Sequence, residues 1–205
     1  MGLGALLLED HLFDDTAAAT VTFTSTTTAA GSITVGSVAM SGTYVSGCNT
    51  SGIAAAIAGG YFPSDVKSNR DVIVVTGNDN VSEESHFYTD TTCSTLSVYS
   101  KNGNDNFTVG DQSGDYYKVT YQEKRFKIKA DTAVAEAYYE NHFSTNNITN
   151  EGTAVDLVVG TEYSMGGSGS SYMNLFSVTS TQVQKGEGST SSYPTAMDSL
   201  EMAKQ

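Results

Sequence analysis

One short stretch constrains the fold more than any other part of this sequence. Asp71 is followed by the unbroken run Val72-Ile73-Val74-Val75-Thr76, which ends at the turn-forming residues 77–80 (GNDN). An apolar, β-branched run of this length, bounded by a turn signal, predicts a strand that is buried on both faces. The fold must therefore supply apolar cover on each side of this strand.

The rest of the chain favours short strands that alternate between apolar and polar residues. Val21 and Phe23, then Ile33 and Val35, alternate with Ser and Thr, and Gly31 between them predicts a hairpin. About a quarter of the chain is Ser or Thr, with twenty Gly and two Pro, which favours strands and tight turns over helices. Further strands are predicted near residues 85–91, 94–100, 105–109, 153–160 and 172–184.

Two helices are predicted inside this β-rich region. The first covers residues 51–60, with Ser51 as its N-cap and Gly59-Gly60 as its end. The second begins at Asp131 and runs to about Asn141, and the face predicted to be apolar contains Ala133, Val134, Ala137 and Tyr138. The sequence therefore predicts a mainly β fold, an antiparallel β-sandwich or barrel with two or three short helices and terminal arms.

Residues 116–130 predict an irregular strand. Apolar side chains have one parity up to Tyr121 and the opposite parity from Phe126 onwards, so a bulge or hairpin is expected near residues 122–125. Half of the basic residues of the chain lie here: Lys118, Lys124, Arg125, Lys127 and Lys129. Two interpretations stay open, a ribbon that docks on the acidic face of a neighbouring copy and a solvated edge strand protected by charge.

The predicted organisation is an N-terminal arm (1–17), a β-rich core (18–184), and a C-terminal linker and arm (185–205). The last stretch, residues 194–205, is predicted to form a short helix. Apolar side chains in the two arms are candidates for burial against neighbouring copies: Leu6, Leu8, Leu12, Phe13, Met197 and Leu200.

Charge excludes several classes of partner. The net charge of −13 argues against direct binding to nucleic acid, which needs Lys and Arg, and against binding to an anionic membrane surface. The first 66 residues contain no Lys or Arg, whereas a signal peptide needs a basic start. The apolar start ends at Glu9, short of the roughly 20 residues that span a bilayer.

No motif predicts catalysis or a cofactor. Residues 102–106 (NGNDN) resemble the start of a calcium loop, but Phe107 and Ser113 replace the required Gly and Glu, so an Asx-rich turn is the expectation. Cys48 and Cys93 form either one disulfide or two buried thiols, and they lack the spacing of a zinc site. A carboxylate pair acting on glycans is the third class of function considered, and only spatial separation would identify it.

Residues 19–35 (ATVTFTSTTTAAGSITV) and 50–57 (TSGIAAAI) resemble a module of tailed-bacteriophage structural proteins. That module consists of a Thr-rich strand, a glycine turn, a second strand and an Ala-rich helix. The resemblance implies a virion component of the tail-tube or capsid-decoration type, assembled in the host cytoplasm and contacting itself or other virion proteins.

Two functions follow as expectations. The first is a non-enzymatic structural subunit of a virus particle that assembles through β-edges and terminal arms. The second is an extracellular or periplasmic β-barrel that serves as a binding or adhesin module, which a disulfide between Cys48 and Cys93 would support.

Overall fold

A computed structural model of the protein describes Phe23, residues 25–198 and residues 200–205. Its elements, in chain order, are β1 (Ile33–Val35), β2 (Val38–Met40), β3 (Thr43–Ser46), α1 (Ile53–Ala58), β4 (Ser68–Val75), β5 (Val81–Tyr88), β6 (Leu96–Ser113), β7 (Tyr116–Ala130), α2 (Ala133–Thr145), β8 (Thr149–Asn150), β9 (Thr153–Ala154), β10 (Tyr163–Gly166), β11 (Ser171–Val178), β12 (Gln182–Lys185) and β13 (Glu201–Lys204).

Eight strands form a closed antiparallel barrel. Going round the wall the order is β3, β4, β5, β6, β7, β11, β12 and β13, which is also their order along the chain. The last strand pairs with the first, with Met202 opposite Ser46, and this contact closes the wall. β10 pairs with the part of β7 that β11 does not reach. The predicted mainly β fold with few short helices is confirmed.

The closing strand lies in a segment where the sequence predicts a helical arm. Residues 201–204 are β13 and pair with β12 on one side and β3 on the other, so the helix predicted over residues 194–205 is wrong there. Met202 is fully buried in the barrel core. Its side chain alternates with the exposed Glu201, a strand pattern too short to recognise in the sequence.

β4 is buried along its whole length, as predicted from its apolar run. Ile73 and Val75 point into the barrel, whereas Val72 and Val74 point outwards and pack with Val45 and Phe23. Phe23 belongs to the chain segment that crosses the outside of the wall, which explains how an outer face can be apolar.

The predicted hairpin differs from the observed one. β1 contains Ile33 and Val35, but it pairs with β2 across a turn at Gly36. Val21, the other end of the predicted hairpin, lies outside the described residues. Gly36 has a positive φ of 60°, and a Cβ on it would overlap the ring of Tyr117, so this turn requires glycine.

The predicted bulge in β7 is confirmed. Gly103 on β6 is opposite Arg125, but the next residue, Asn104, is opposite Glu123, so Lys124 is the extra residue. This bulge lets Tyr121 and Phe126 both face the interior. The strands predicted at 94–100 and 105–109 are one strand, β6, interrupted by register shifts rather than by a loop.

Several boundaries shift by a few residues. α1 begins after Gly52 rather than Ser51, and α2 is capped by the hydroxyl of Thr132, which accepts from the backbone N–H of Ala135 at 3.1 Å. The strand predicted over 153–160 is limited to β9, and the one predicted over 172–184 is β11 and β12 with a turn between them.

The two ends of the barrel are closed differently. At one end, here the helical end, α1 and α2 cover an apolar cluster that includes Phe87, Val98 and Phe126. At the other, the hairpin end, β1 and β2 cover a second cluster that includes Val81, Phe176 and Met202. A disulfide between Cys48 and Cys93 joins the β3–α1 and β5–β6 connections at the helical end.

Candidate functional site

A polar layer lies inside the barrel between the two apolar clusters. On β5, Val81, Glu83, Ser85 and Phe87 share one face because side chains alternate along a strand. Val81 belongs to one apolar cluster and Phe87 to the other. Glu83 and Ser85, which lie between them, therefore project into the barrel interior.

An ion pair crosses this interior. Lys185 Nζ donates to Glu83 Oε2 at 2.8 Å. β12 and β5 lie four strands apart in a ring of eight, on opposite sides of the barrel. The two side chains keep 16% and 15% of their surface accessible, which leaves room beside the pair for a group at least the size of a water molecule. Burial alone would lower the pKa of Lys185, but the nearby carboxylate of Glu83 raises it overall.

Two further acids belong to the same layer. Asp71 accepts from Ser85 Oγ at 2.8 Å, and burial raises its pKa despite the opposing field of Lys185. Burial also raises the pKa of Asp198, which lies in the electrostatic field of Lys185, Asp71 and Glu83. The interior therefore concentrates acids around a single ammonium group.

Three polar atoms in this layer have no hydrogen-bond partner among the described residues. They are Glu83 Oε1, Ser100 Oγ and Asn102 Oδ1. Ser100 is 1% exposed. Asn102 is the cross-strand partner of Glu83, and Ser100 is the partner of Ser85, so all three atoms belong to adjacent positions on one face of β5 and β6. Buried polar groups without partners are costly, which points to a ligand or water at this place.

Aromatic rings form another part of the wall of this layer. Tyr121 and Tyr172 are cross-strand partners whose rings stack at 5.8 Å, and Asn174 Nδ2 lies 3.5 Å from the Tyr121 hydroxyl. Glu123 lies on the same face of β7 and accepts from the Ser168 N–H at 2.9 Å. Burial raises the pKa of Glu123 and of Tyr121.

The connection between β12 and β13 covers the aromatic side of the layer. A Cβ on Gly188 would lie 2.8 Å from the Tyr121 hydroxyl oxygen, so the backbone of this connection contacts that ring closely. A Cβ on Gly186 would meet Pro194 at 2.8 Å. Glycine at these two positions allows the close approach.

A second polar network lies on the outer face of the same wall. His86 Nε2 hydrogen-bonds Glu84 Oε2 at 2.8 Å, and Thr27 Oγ1 donates to Glu84 Oε1. Ser82 Oγ also donates to that oxygen, at 3.2 Å. Burial would raise the pKa of Glu84, but the hydrogen bonds and the charge of Lys101 outweigh it and lower the pKa.

The predicted basic ribbon lies on the outside of β7, and most of its charges have partners within the chain. Arg125 pairs with Asp105, Lys127 with Glu162 at 2.7 Å, and Lys129 with Asp131 at 2.7 Å. The Lys118 ammonium lies 5.1 Å from the centre of the Tyr193 ring, and Lys124 is exposed at the bulge. β7 has partners on both edges, so the interpretation as an edge strand is wrong.

The arm residues divide into two groups. Leu6, Leu8, Leu12 and Phe13 lie outside the described residues. Met197 and Leu200 are half-buried and lie just before β13. The ribbon lies on β7, whereas Met197 and Leu200 lie in the connection between β12 and β13. Lys118 links the ribbon to this connection through its contact with Tyr193.

The interior residues were not anticipated from the sequence, although a signal for them exists. Glu83 has the same parity as Val81 and Phe87, and Asp71 the same parity as Ile73 and Val75. A charged residue on the apolar face of a strand is the pattern of a buried polar site. Lys185 gives no such signal, because its strand has only four residues.

Comparisons with known proteins assign no family, since no family model and no curated protein matches this sequence. Within the described residues, no group of three or more His, Cys, Asp or Glu side chains is arranged to hold a metal ion. In the same part of the chain, neither helix has the length and apolar character needed to span a membrane.

Proposed function

We propose that this protein is a binding module that holds a small polar molecule inside its barrel, in an oxidising extracellular or periplasmic compartment. The observation that carries this proposal is the set of three unpaired atoms, Glu83 Oε1, Ser100 Oγ and Asn102 Oδ1, inside a closed wall. A layer built for stability alone would pair these atoms within the protein, because each unpaired buried group costs about 1–3 kcal/mol.

The disulfide supports the proposed location in an oxidising compartment. Structural disulfides persist in oxidising environments and are rare in the cytosol. Cys48 and Cys93 join two connections at the helical end, and no other cysteine is present in the chain.

The test is a ligand screen on the full chain with its disulfide intact. Thermal unfolding is recorded with small amines, polyols, sugars and amino acids. A ligand at 100 times its Kd stabilises the folded state by about 2.7 kcal/mol, or roughly 5–10 °C for a chain of this size. We expect one class to raise the Tm, and the Ser100→Ala/Asn102→Ala double variant to lose that rise.

Asp115→Asn is the matched control, because Asp115 is exposed in the turn between β6 and β7. It should keep the full response of the wild type. The proposal fails if no compound raises the Tm and native mass spectrometry detects only the bare chain.

The structural-subunit hypothesis is a second candidate, favoured by an apolar surface at the helical end. Val134, Val158 and Val159 are 43%, 60% and 41% exposed there. Val158 and Val159 are consecutive residues, and a contiguous exposed apolar surface marks protein–protein contacts. The edges of the eight wall strands are not available for this assembly, since each of these strands already has two neighbours, whereas β10 has a partner on one side alone.

Native mass by light scattering tests this second function. A defined oligomer that Val158→Asp/Val159→Asp dissolves would support assembly through the helical end. A monomer at every concentration, with negative-stain images free of rings or tubes, would contradict self-assembly.

A further inference from the structure

The chemistry of the interior layer indicates which class of small polar molecule would bind there. This inference rests on the binding function proposed above. We propose that the layer binds a small organic molecule with a primary ammonium group, held between Glu83, Ser100 and Asn102. The number of hydrogen-bond acceptors, the charge of the layer and the shape of the surrounding wall all favour such a ligand.

The hydrogen-bond count matches a primary ammonium. Such a group has three N–H donors and no acceptor. The three unpaired atoms are a carboxylate oxygen, an amide oxygen and a hydroxyl oxygen, and each of them can accept. Glu83 and Asn102 are direct cross-strand partners, a relation that places their Cβ atoms about 5 Å apart. Ser100 is two residues from Asn102 on the same face, so the three side chains occupy adjacent positions of the wall.

The charge of the layer also favours a cation. Three carboxyl groups, those of Asp71, Glu83 and Asp198, interact with one ammonium group, that of Lys185. A fourth, that of Glu123, lies in the electrostatic field of Glu83. Glu83 uses one oxygen for Lys185, and its other oxygen is buried without a partner among the described residues. A second cation beside Glu83 would reduce the repulsion among the acids, whereas an anionic ligand would increase it.

The wall favours an organic cation over a metal ion. The described residues contain no arrangement of three or more ligating side chains for a metal. Tyr121 and Tyr172 present a stacked aromatic pair at the same level. Phe107 stacks on Tyr121 at 6.0 Å and continues this surface towards the hairpin end. Aromatic faces attract ammonium groups and also pack against the carbon skeleton of such a ligand.

Isothermal titration calorimetry on the disulfide-intact full chain tests this inference with matched ligand pairs. The pairs are 1-butylamine with 1-butanol, and tyramine with the alcohol that has a hydroxyl in place of its amine. Each pair differs in the ammonium group alone. We expect the amine to bind at least about tenfold more tightly than its alcohol, because a charge-assisted hydrogen bond is roughly twice as strong as a neutral one.

Three variants locate the site. Glu83→Gln removes the charge and should weaken amine binding by about tenfold or more. Ser100→Ala removes only an unpaired hydroxyl, so it should fold normally and weaken amine binding by a smaller factor. Asp115→Asn, on the surface, should leave the affinity unchanged, and circular dichroism verifies the fold of each variant.

The outcomes separate this inference from the proposed function. If amine and alcohol bind equally and Ser100→Ala weakens both, the preference for an ammonium group is contradicted. The proposal that the barrel binds a ligand would still hold. Amine binding that neither Glu83→Gln nor Ser100→Ala weakens would place the ligand outside the layer and overturn both proposals. If neither member of either pair binds, the proposal of a ligand with a primary ammonium group is contradicted. The broader ligand screen then tests the proposed function by itself.

Discussion

Two neighbouring glutamates on β5 have opposite surroundings. Glu84 points outwards, where His86 contacts one carboxylate oxygen and Thr27 and Ser82 contact the other. Glu83 points inwards, where Lys185 contacts one oxygen and the other has no partner among the described residues. The same residue type, one position apart, is thus fully hydrogen-bonded on one face of the wall and half hydrogen-bonded on the other.

This difference separates two uses of a buried charge. A fully paired carboxylate fixes the segment that covers it, and its removal should cost stability. A half-paired carboxylate keeps hydrogen-bonding capacity that the protein does not use itself. The comparison therefore predicts that variants of the outer network change folding alone, whereas variants of the inner layer change folding and binding.

The largest effect is expected for Lys185→Met. This change leaves Glu83 buried without a cation near Asp71 and Asp198, and breaking a buried ion pair costs about 3–5 kcal/mol. Urea unfolding at pH 7 measures the loss.

Lys204→Met is the matched control for this prediction. Lys204 is exposed on β13, with its ammonium 5.7 Å from the centre of the Tyr44 ring. Its removal should change stability by less than about 1 kcal/mol. If Lys185→Met costs no more than this control, the inner ion pair is not a buried pair in the folded protein.

Glu84→Gln should have the second largest effect, about 2 kcal/mol at pH 7, because hydrogen bonds to a charged group are lost while the shape is kept. The folded-state pKa of Glu84 is lowered, so its contribution is present above the unfolded pKa of about 4.3 and is lost as the pH falls through the folded value. Unfolding from pH 7 to pH 2 should show wild type and variant converging in acid.

A difference between Glu84→Gln and wild type that stayed constant over this pH range would contradict the prediction. Ligand affinity is a second readout for the same variant. Since Glu84 faces away from the interior, the affinity of a bound amine should stay within about twofold of the wild type.

Asp71→Asn should shift the pH dependence in the opposite direction and by less. Burial raises the folded-state pKa of Asp71. Its stabilising contribution is therefore complete below the unfolded pKa of about 3.9 and is lost as the pH rises through the folded value. The neutral amide should make the protein more stable than wild type at pH 8 and equal to it near pH 3. A loss of stability at pH 8 would show that the charge is favourable.

The smallest effects come from two opposed serines. Ser85 donates to Asp71 at 2.8 Å, whereas its cross-strand partner Ser100 has an unpaired hydroxyl. Ser85→Ala should destabilise the protein by about 1 kcal/mol, and Ser100→Ala should be neutral or slightly stabilising. Chemical unfolding of both variants without ligand measures the difference. Equal losses would mean that the Ser100 hydroxyl has a partner.

Most of the fold could be predicted from local pattern. The run after Asp71 identified β4, and the change of parity between Tyr121 and Phe126 identified the bulge at Lys124. Gly59 and the residues around Asp131 bounded the two helices to within a few positions. These features depend on neighbours in the sequence, so one chain is enough to read them.

The site could not be predicted in the same way, because strands far apart in the sequence build it. Glu83 and Lys185 are 102 residues apart, and only closure of the barrel brings them together. The sequence did not reveal β13 either, since a strand of four residues shows too little alternation between apolar and polar residues. The disulfide could not be assigned for a related reason, because Cys48 and Cys93 lie 45 residues apart in two connections that the pairing of β3, β4 and β5 brings together.

The pairing of β13 with β3 has a consequence for how the chain is made. β3 ends at Ser46, and the edge that does not face β4 pairs with a strand that begins only at Glu201. During synthesis, β3 therefore exposes unpaired N–H and C=O groups until nearly all of the intervening chain has left the ribosome. Closure is a long-range event and sets a slow final step in folding. A chain stopped before Glu201 would keep seven wall strands and two open edges, which is the form most prone to pair with another copy of itself.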